Sequence, residues 1–170
     1  MKGYIQVYTG NGKGKTTASL GLAIRAAGAG LKVFIGQFLK QEDYSEIKAL
    51  SVFDNITVEQ YGAGEFVKGV PSKEEKAQAR KGYLKLCEVL KGNKHDLVIA
   101  EEGNVAVAYG LFSEEELLAL MELKPENMEL VITGRKALQS VMDKADLVTE
   151  MREIKHYYHQ GVAARVGIEK

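Results

Sequence analysis

The chain has 170 residues, which suits one domain with a full core. Its 23 Lys+Arg balance 23 Asp+Glu, so composition gives no support for binding nucleic acid or an anionic membrane by general attraction. The one cysteine, Cys87, excludes a disulfide within these residues and a cysteine-based zinc site, and no apolar run approaches the roughly 18 residues of a membrane span.

Met1-Lys2-Gly3 leads straight into strand sequence without a signal-like apolar region, so the cytoplasm is the expected location. The first strand is Tyr4 to Tyr8, and it runs into Thr9-Gly10-Asn11-Gly12-Lys13-Gly14-Lys15-Thr16-Thr17. Three glycines free this backbone to curl, so that successive N–H groups can face one anion. Lys15 supplies a point charge for phosphate oxygens, and the Thr16 hydroxyl is placed to ligate Mg²⁺. An alanine-rich helix, Ala18 to Ala27, adds the dipole of its N-terminus. Strand, Gly-rich loop and helix together indicate a nucleotide-binding protein. The loop departs from the usual G-x-x-x-x-G-K-[ST] pattern: Thr9 stands where the first glycine falls, and Lys13 is an extra lysine inside it. A shortened, doubly basic loop is expected to wrap its phosphates differently from an ordinary ATPase loop.

Further along, Lys32 to Phe38 reads as a buried strand, Tyr44 to Leu50 as a helix and Ile56 to Tyr61 as a strand. Ser72 and Glu75 form a capping box opening a helix to about Leu90, and Cys87 falls among its core positions. Asp96 to Ala100 is an apolar strand ending in Glu101-Glu102. Ser113 and Glu116 form a second capping box, opening a helix through Met121. Glu129 to Thr133 is a strand, Ala137 to Asp143 a short helix and Leu147 to Met151 a last strand. Short apolar runs with intervening helices predict an α/β fold: a P-loop NTPase-like three-layer sandwich around a mostly parallel sheet, with residues 1–170 forming one nucleotide-binding domain.

Ligands of such sheets bind at the C-terminal strand ends, so Thr9 to Thr17, Gln37 to Lys40, Glu101-Glu102 and Thr133-Gly134-Arg135 should converge. An apolar strand ending in acid beside a phosphate loop is the Walker B arrangement, whose carboxylate binds Mg²⁺ directly or through water. Arg135 either reaches phosphate or pairs with a nearby carboxylate. Arg25, on the first helix, lies near nucleotide or is simply solvated. His156 and His159 flank Tyr157-Tyr158 in a segment that reads as an ordinary terminal stretch rather than a metal site. No N-K-x-D guanine signature and no Arg-rich lid segment is present, so the motifs alone stop at binding of Mg–nucleotide.

The residues resemble one family, the P-loop ATP:corrinoid adenosyltransferases. The resemblance is carried by Thr9 to Thr17, Arg25-Ala26-Ala27-Gly28 with Gly30, Gln37-Phe38, Asn104 after the acidic pair and Thr133-Gly134-Arg135. It continues through Ala145 to Met151, Lys155-His156 and Gly167-Ile168-Glu169. It implies transfer of the 5′-deoxyadenosyl group of ATP to a Co(I) corrinoid, cobalamin or a precursor, with the whole triphosphate leaving and nucleotide held in reversed orientation. It further implies that Gly10, Asn11, Gly12, Lys13, Gly14, Lys15, Thr16 and Thr17 surround the triphosphate, with Arg25 on the nucleotide side. Thr16, Glu101 and Glu102 would hold Mg²⁺, and Lys15, Thr16 and Glu102 would form the catalytic set. The family's corrinoid loop often bears a Phe and a Trp. This chain has no Trp, and Phe66 in the segment Tyr61 to Gly69 is the aromatic placed to substitute. A homodimer and a reductase partner such as a flavoprotein are implied as well. Two rivals remain: a conventional ATPase or kinase using the same loop, and a non-catalytic nucleotide-dependent binding protein.

Overall fold

In the computed structural model, the structure describes residues 2–41, 44–63 and 69–169. A six-stranded sheet has the order β3-β2-β4-β5-β1-β6, and every adjacent pair is parallel. The strands are β1 (Ile5–Thr9), β2 (Val33–Phe38), β3 (Ile56–Tyr61), β4 (Leu97–Glu101), β5 (Glu129–Thr133) and β6 (Leu147–Glu150). Between them run α1 (Lys15–Gly28), α2 (Ser45–Leu50), α3 (Lys73–Gly92), α4 (Gly103–Ala108), α5 (Glu114–Glu122) and α6 (Gln139–Lys144). This is the expected P-loop NTPase-like α/β sandwich.

Side chains alternate across the central strands and build two apolar layers. Val33, Ile35, Leu97, Ile99 and Val131 pack with Leu20, Ala23 and Ala26 of α1 and Leu50 of α2. Phe34, Phe38, Val98, Ala100, Leu130 and Ile132 pack on the other face with Leu86 and Leu90 of α3, Leu117 and Leu120 of α5 and Val141 of α6. The alanines on α1 let that helix lie close to the sheet. Val7↔Ile132 and Val7↔Val148 register β1 between β5 and β6, although both partners lie far away in sequence.

Both capping boxes form. Ser72 Oγ accepts from Glu75 N at 3.1 Å while Ser72 N donates to Glu75 Oε2 at 2.6 Å, and Ser113 with Glu116 repeats the pair. Each such cap is worth about 1 kcal/mol. Cys87 lies against the core beside Tyr83. The helix expected from Ala137 starts at Gln139, because Lys136 takes a positive φ of 61° and Leu138 is extended. The six-residue α4 was not anticipated: Glu102, at φ 59°, turns the chain straight from β4 into it.

The connection leaving β2 crosses on the α1 face and the one leaving β4 crosses on the opposite face. Such a divergence makes the C-terminal ends of these strands the place where α/β sheets take their ligands, and Thr16, just after the loop that follows β1, reaches it by bonding Glu101.

Candidate functional site at the phosphate loop

Thr9, at the position of the usual first glycine, is still strand: it registers with Glu150, and its carbonyl accepts from Met151 N at 2.8 Å. The loop therefore begins one residue late, at Gly10 (φ 92°), and ends at Gly14 (φ 122°). No side chain caps α1 at Gly14. The first N–H groups of a helix have no intrahelical partner, so those of Lys15, Thr16 and Thr17 are open to an anion.

Lys15 is 8% exposed and curls back over the loop, donating to Gly10 O at 2.7 Å and Gly12 O at 2.8 Å. Burial lowers its pKa, and the nearby Arg135 lowers it further. Arg135 itself is exposed at the end of β5, close enough to act electrostatically on both Lys15 and Glu102.

Glu101, fully buried at the end of β4, is the hub of the site. Its carboxylate accepts from Thr16 Oγ1, from Ser19 Oγ at 3.0 Å and from Thr133 Oγ1 at 2.7 Å. Lys40 Nζ, from the end of β2, stands 3.8 Å away. Sequence reasoning brought the four strand ends together but did not identify Ser19 or Lys40 as partners of Glu101. Ser19 was findable, because it lies three residues after Thr16 and so on the same helix face.

Glu102 makes none of these bonds, although it lies close enough to Glu101, Lys40 and Lys15 to feel their charge. Its N–H donates to Thr133 Oγ1 at 2.9 Å, and its Oε2 is buried with no hydrogen-bond partner among the described residues. Burial pushes its pKa up, and the neighbouring Glu101 adds to the shift. Gln37 Nε2, near the end of β2, and Asn104 Oδ1, in the first turn of α4, are likewise buried without partners among the described residues. Gln37 registers with Glu101. Unpaired polar atoms are costly in a core and cluster where a ligand or ion completes them.

The donors around Thr16 are hydroxyl and carboxylate oxygens, the set a hard Mg²⁺ ion takes. Asn11 and Thr17 are exposed on the loop and first helical turn. Arg25 sits in the last turn of α1, about 14 Å along the helix axis from Thr16. Phe66 lies outside the described residues. His156 Nδ1 accepts from Tyr158 N, and His159 pairs with Glu153.

Lys13 is turned away from the loop interior, toward residues 157–169. It donates to Tyr157 OH, Ile168 O and Glu169 Oε1. No sequence signal could have paired residues so far apart.

The family described as "ATP:corrinoid adenosyltransferase BtuR/CobO/CobP" matches residues 1–169. The chain is 33% identical over 169 residues to a corrinoid adenosyltransferase of Escherichia coli, covering 99% of this chain and 86% of that protein. It is 33% identical over 173 residues to the corrinoid adenosyltransferase CobA of Salmonella typhimurium, with the same two coverages, 99% and 86%. A corrinoid adenosyltransferase of Pseudomonas aeruginosa is 29% identical over 170 residues, covering 99% of this chain and 84% of the relative. A phosphate loop answered by a buried strand-end carboxylate, and a match running from the first strand to Glu169, agree: this chain belongs to the ATP:corrinoid adenosyltransferase family.

Proposed function

We propose that the chain transfers the 5′-deoxyadenosyl group of ATP to a Co(I) corrinoid and releases inorganic triphosphate. Membership of the family supports adenosyl transfer to a corrinoid over the ATPase, kinase and non-catalytic readings. The observation that carries the site is the Thr16 hydroxyl on the buried Glu101 carboxylate, beside an uncapped helix N-terminus.

In the reaction, the Co(I) centre of the corrinoid substrate attacks C5′ of ATP. A cobalt–carbon bond forms, the C5′–O bond breaks, and its electron pair leaves with triphosphate. No side chain need supply or remove a proton. The protein's work is to position the substrates and stabilise the charge growing on the leaving group. Lys15, one of whose N–H groups is not spent on Gly10 and Gly12, turns to the triphosphate together with the N–H groups of the loop and first helical turn between Gly10 and Thr17, except that of Gly12, which donates to Met151 O. Lys13 adds a second charge and Arg135 a third from β5. Arg25 is the most distant member of the set and would act on the nucleotide only over range.

Thr16 and Glu101 would hold Mg²⁺, with the unpaired Oε2 of Glu102 as a further ligand or as acceptor for a metal-bound water. Bound there, Mg²⁺ would neutralise charge on the leaving triphosphate. Phe66 remains the candidate for the corrinoid face.

The chain is read as one nucleotide-binding domain over residues 1–170, supported by a single sheet carrying both apolar layers. A homodimer, a flavoprotein reductase as electron source and a cytoplasmic location complete the proposal, and they rest on the family resemblance. Among the described residues, no helix is long and apolar enough to cross a membrane.

Incubation with ATP, Mg²⁺ and chemically reduced corrinoid tests the function. The expected result is an optical change to the alkylcobalt form that depends on all three. ATP consumption without any change at cobalt would reject the reading.

A further inference from the structure

We propose that Glu169 is an internal anion that holds Lys13 while the loop lacks triphosphate and yields it to triphosphate when that binds, so that residues 157–169 act as a strap on the site. The proposal rests on the reading above that Lys13 binds triphosphate.

Donor stoichiometry carries the inference. A lysine ammonium has three N–H donors. Lys13 Nζ has three acceptors in the structure: Tyr157 OH at 3.3 Å, Ile168 O at 3.0 Å and Glu169 Oε1 at 3.0 Å. All three belong to the same segment, so Lys13 has no hydrogen left for a phosphate oxygen while the strap holds it. It can reach triphosphate only by giving up at least one of these bonds.

Release strands no charge. Glu169 Oε1 also accepts from Tyr157 OH and from Arg165 Nη2 at 3.1 Å, and Oε2 accepts from Arg165 N at 2.9 Å and Nε at 3.2 Å. The Arg165 guanidinium in turn lies over the Tyr157 ring, 5.1 Å from its centroid. With Lys13 gone, the carboxylate keeps Arg165 and Tyr157. The Lys13 side chain is 40% exposed, so its departure opens no buried void. Triphosphate carries more charge than one carboxylate and presents several strong acceptors, so it wins the exchange. When triphosphate leaves as product, Glu169 retakes Lys13.

The strap sits where it can act. Met151 and Arg152, just before it, pack against Gly10 and Gly12 of the loop. The lysine side of the pair is open to water, which weakens its hold, so the exchange is set to respond to ligand rather than to lock the site.

The test uses the full chain and inorganic triphosphate with Mg²⁺. Hydrogen–deuterium exchange at residues 157–169 should speed up on saturation with triphosphate. Glu169→Gln should bind triphosphate about two- to fivefold more tightly than the parent chain. In a Lys13→Ala background the same change should have no effect, because the competition runs through Lys13. Triphosphate that binds without altering exchange at 157–169 would overturn the strap and leave the phosphate site standing. So would a gain in affinity from Glu169→Gln that persists without Lys13, which would mark general repulsion. Failure of triphosphate to bind at all would overturn the strap together with the reading of the site.

Discussion

The N–H of Gly12 donates to the carbonyl of Met151 at 2.7 Å, tying the centre of the phosphate loop to the chain just after the sheet's edge strand. Glycine at 12 thus serves a close backbone approach, its N–H being spent on this tie. A Cβ there would lie 2.8 Å from both the carbonyl carbon of Arg152 and the carbonyl oxygen of Met151, and backbone cannot step aside as a side-chain end can.

Gly12→Ala should therefore lower stability by about 1–3 kcal/mol and weaken ATP binding together, since the loop must shift to admit the methyl group. Thermal melting and calorimetric titration check both. A variant with the parent's melting temperature and affinity would show that the close approach carries no constraint.

Lys15→Ala should remove most ATP binding, a loss on the order of 1.5–3 kcal/mol for a charge-assisted contact. Its two bonds to Gly10 and Gly12 show the side chain already folded over the loop. Calorimetric titration decides, and unchanged affinity would remove Lys15 from the phosphate site.

What the sequence made legible was local. The Gly-rich turn from strand to helix, the helix that follows it and both capping boxes depend on residues within a few positions of one another, and each of these elements formed. The sheet order was not legible, because β1 pairs with β5 and β6 from the far end of the chain. Nor could the sequence divide the roles of Glu101 and Glu102. That division follows from strand alternation, which turns Glu101 to the α1 face, and from the positive φ of Glu102, which breaks the alternation. Helix α4 escaped because Gly103 to Ala108 is short and lacks a capping side chain. The link from Lys13 to Glu169 escaped because it spans nearly the whole chain.

The two acids should separate by mutation. Glu101→Gln should abolish Mg²⁺-dependent turnover and also cost stability, since the amide nitrogen replaces one carboxylate oxygen and cannot accept from the hydroxyls bonded there, that of Thr16 at Oε1 or those of Ser19 and Thr133 at Oε2. The loss is about 1–3 kcal/mol. Turnover against Mg²⁺ concentration and a melting curve measure the two effects. Full activity with normal Mg²⁺ dependence would make Glu101 structural.

Glu102→Gln should lose turnover yet melt higher than the parent chain at pH 7 without Mg²⁺. The Glu102 pKa is raised by burial and by Glu101, so the folded chain holds a proton that the unfolded chain releases. Stability from this group is therefore present below the ordinary carboxyl value and is lost as pH rises through the raised one. The advantage of the variant should shrink as pH falls below the ordinary value. Melting temperatures across that range check the sign, and an advantage that grows toward acid would contradict it.

The most direct measurement of adenosyl transfer is the fate of the phosphates. ATP, Mg²⁺ and reduced corrinoid should yield one inorganic triphosphate for each cobalt–carbon bond formed, followed by anion-exchange chromatography beside the optical signal. ADP and orthophosphate in place of triphosphate would contradict adenosyl transfer and return the chain to the ATPase or kinase reading.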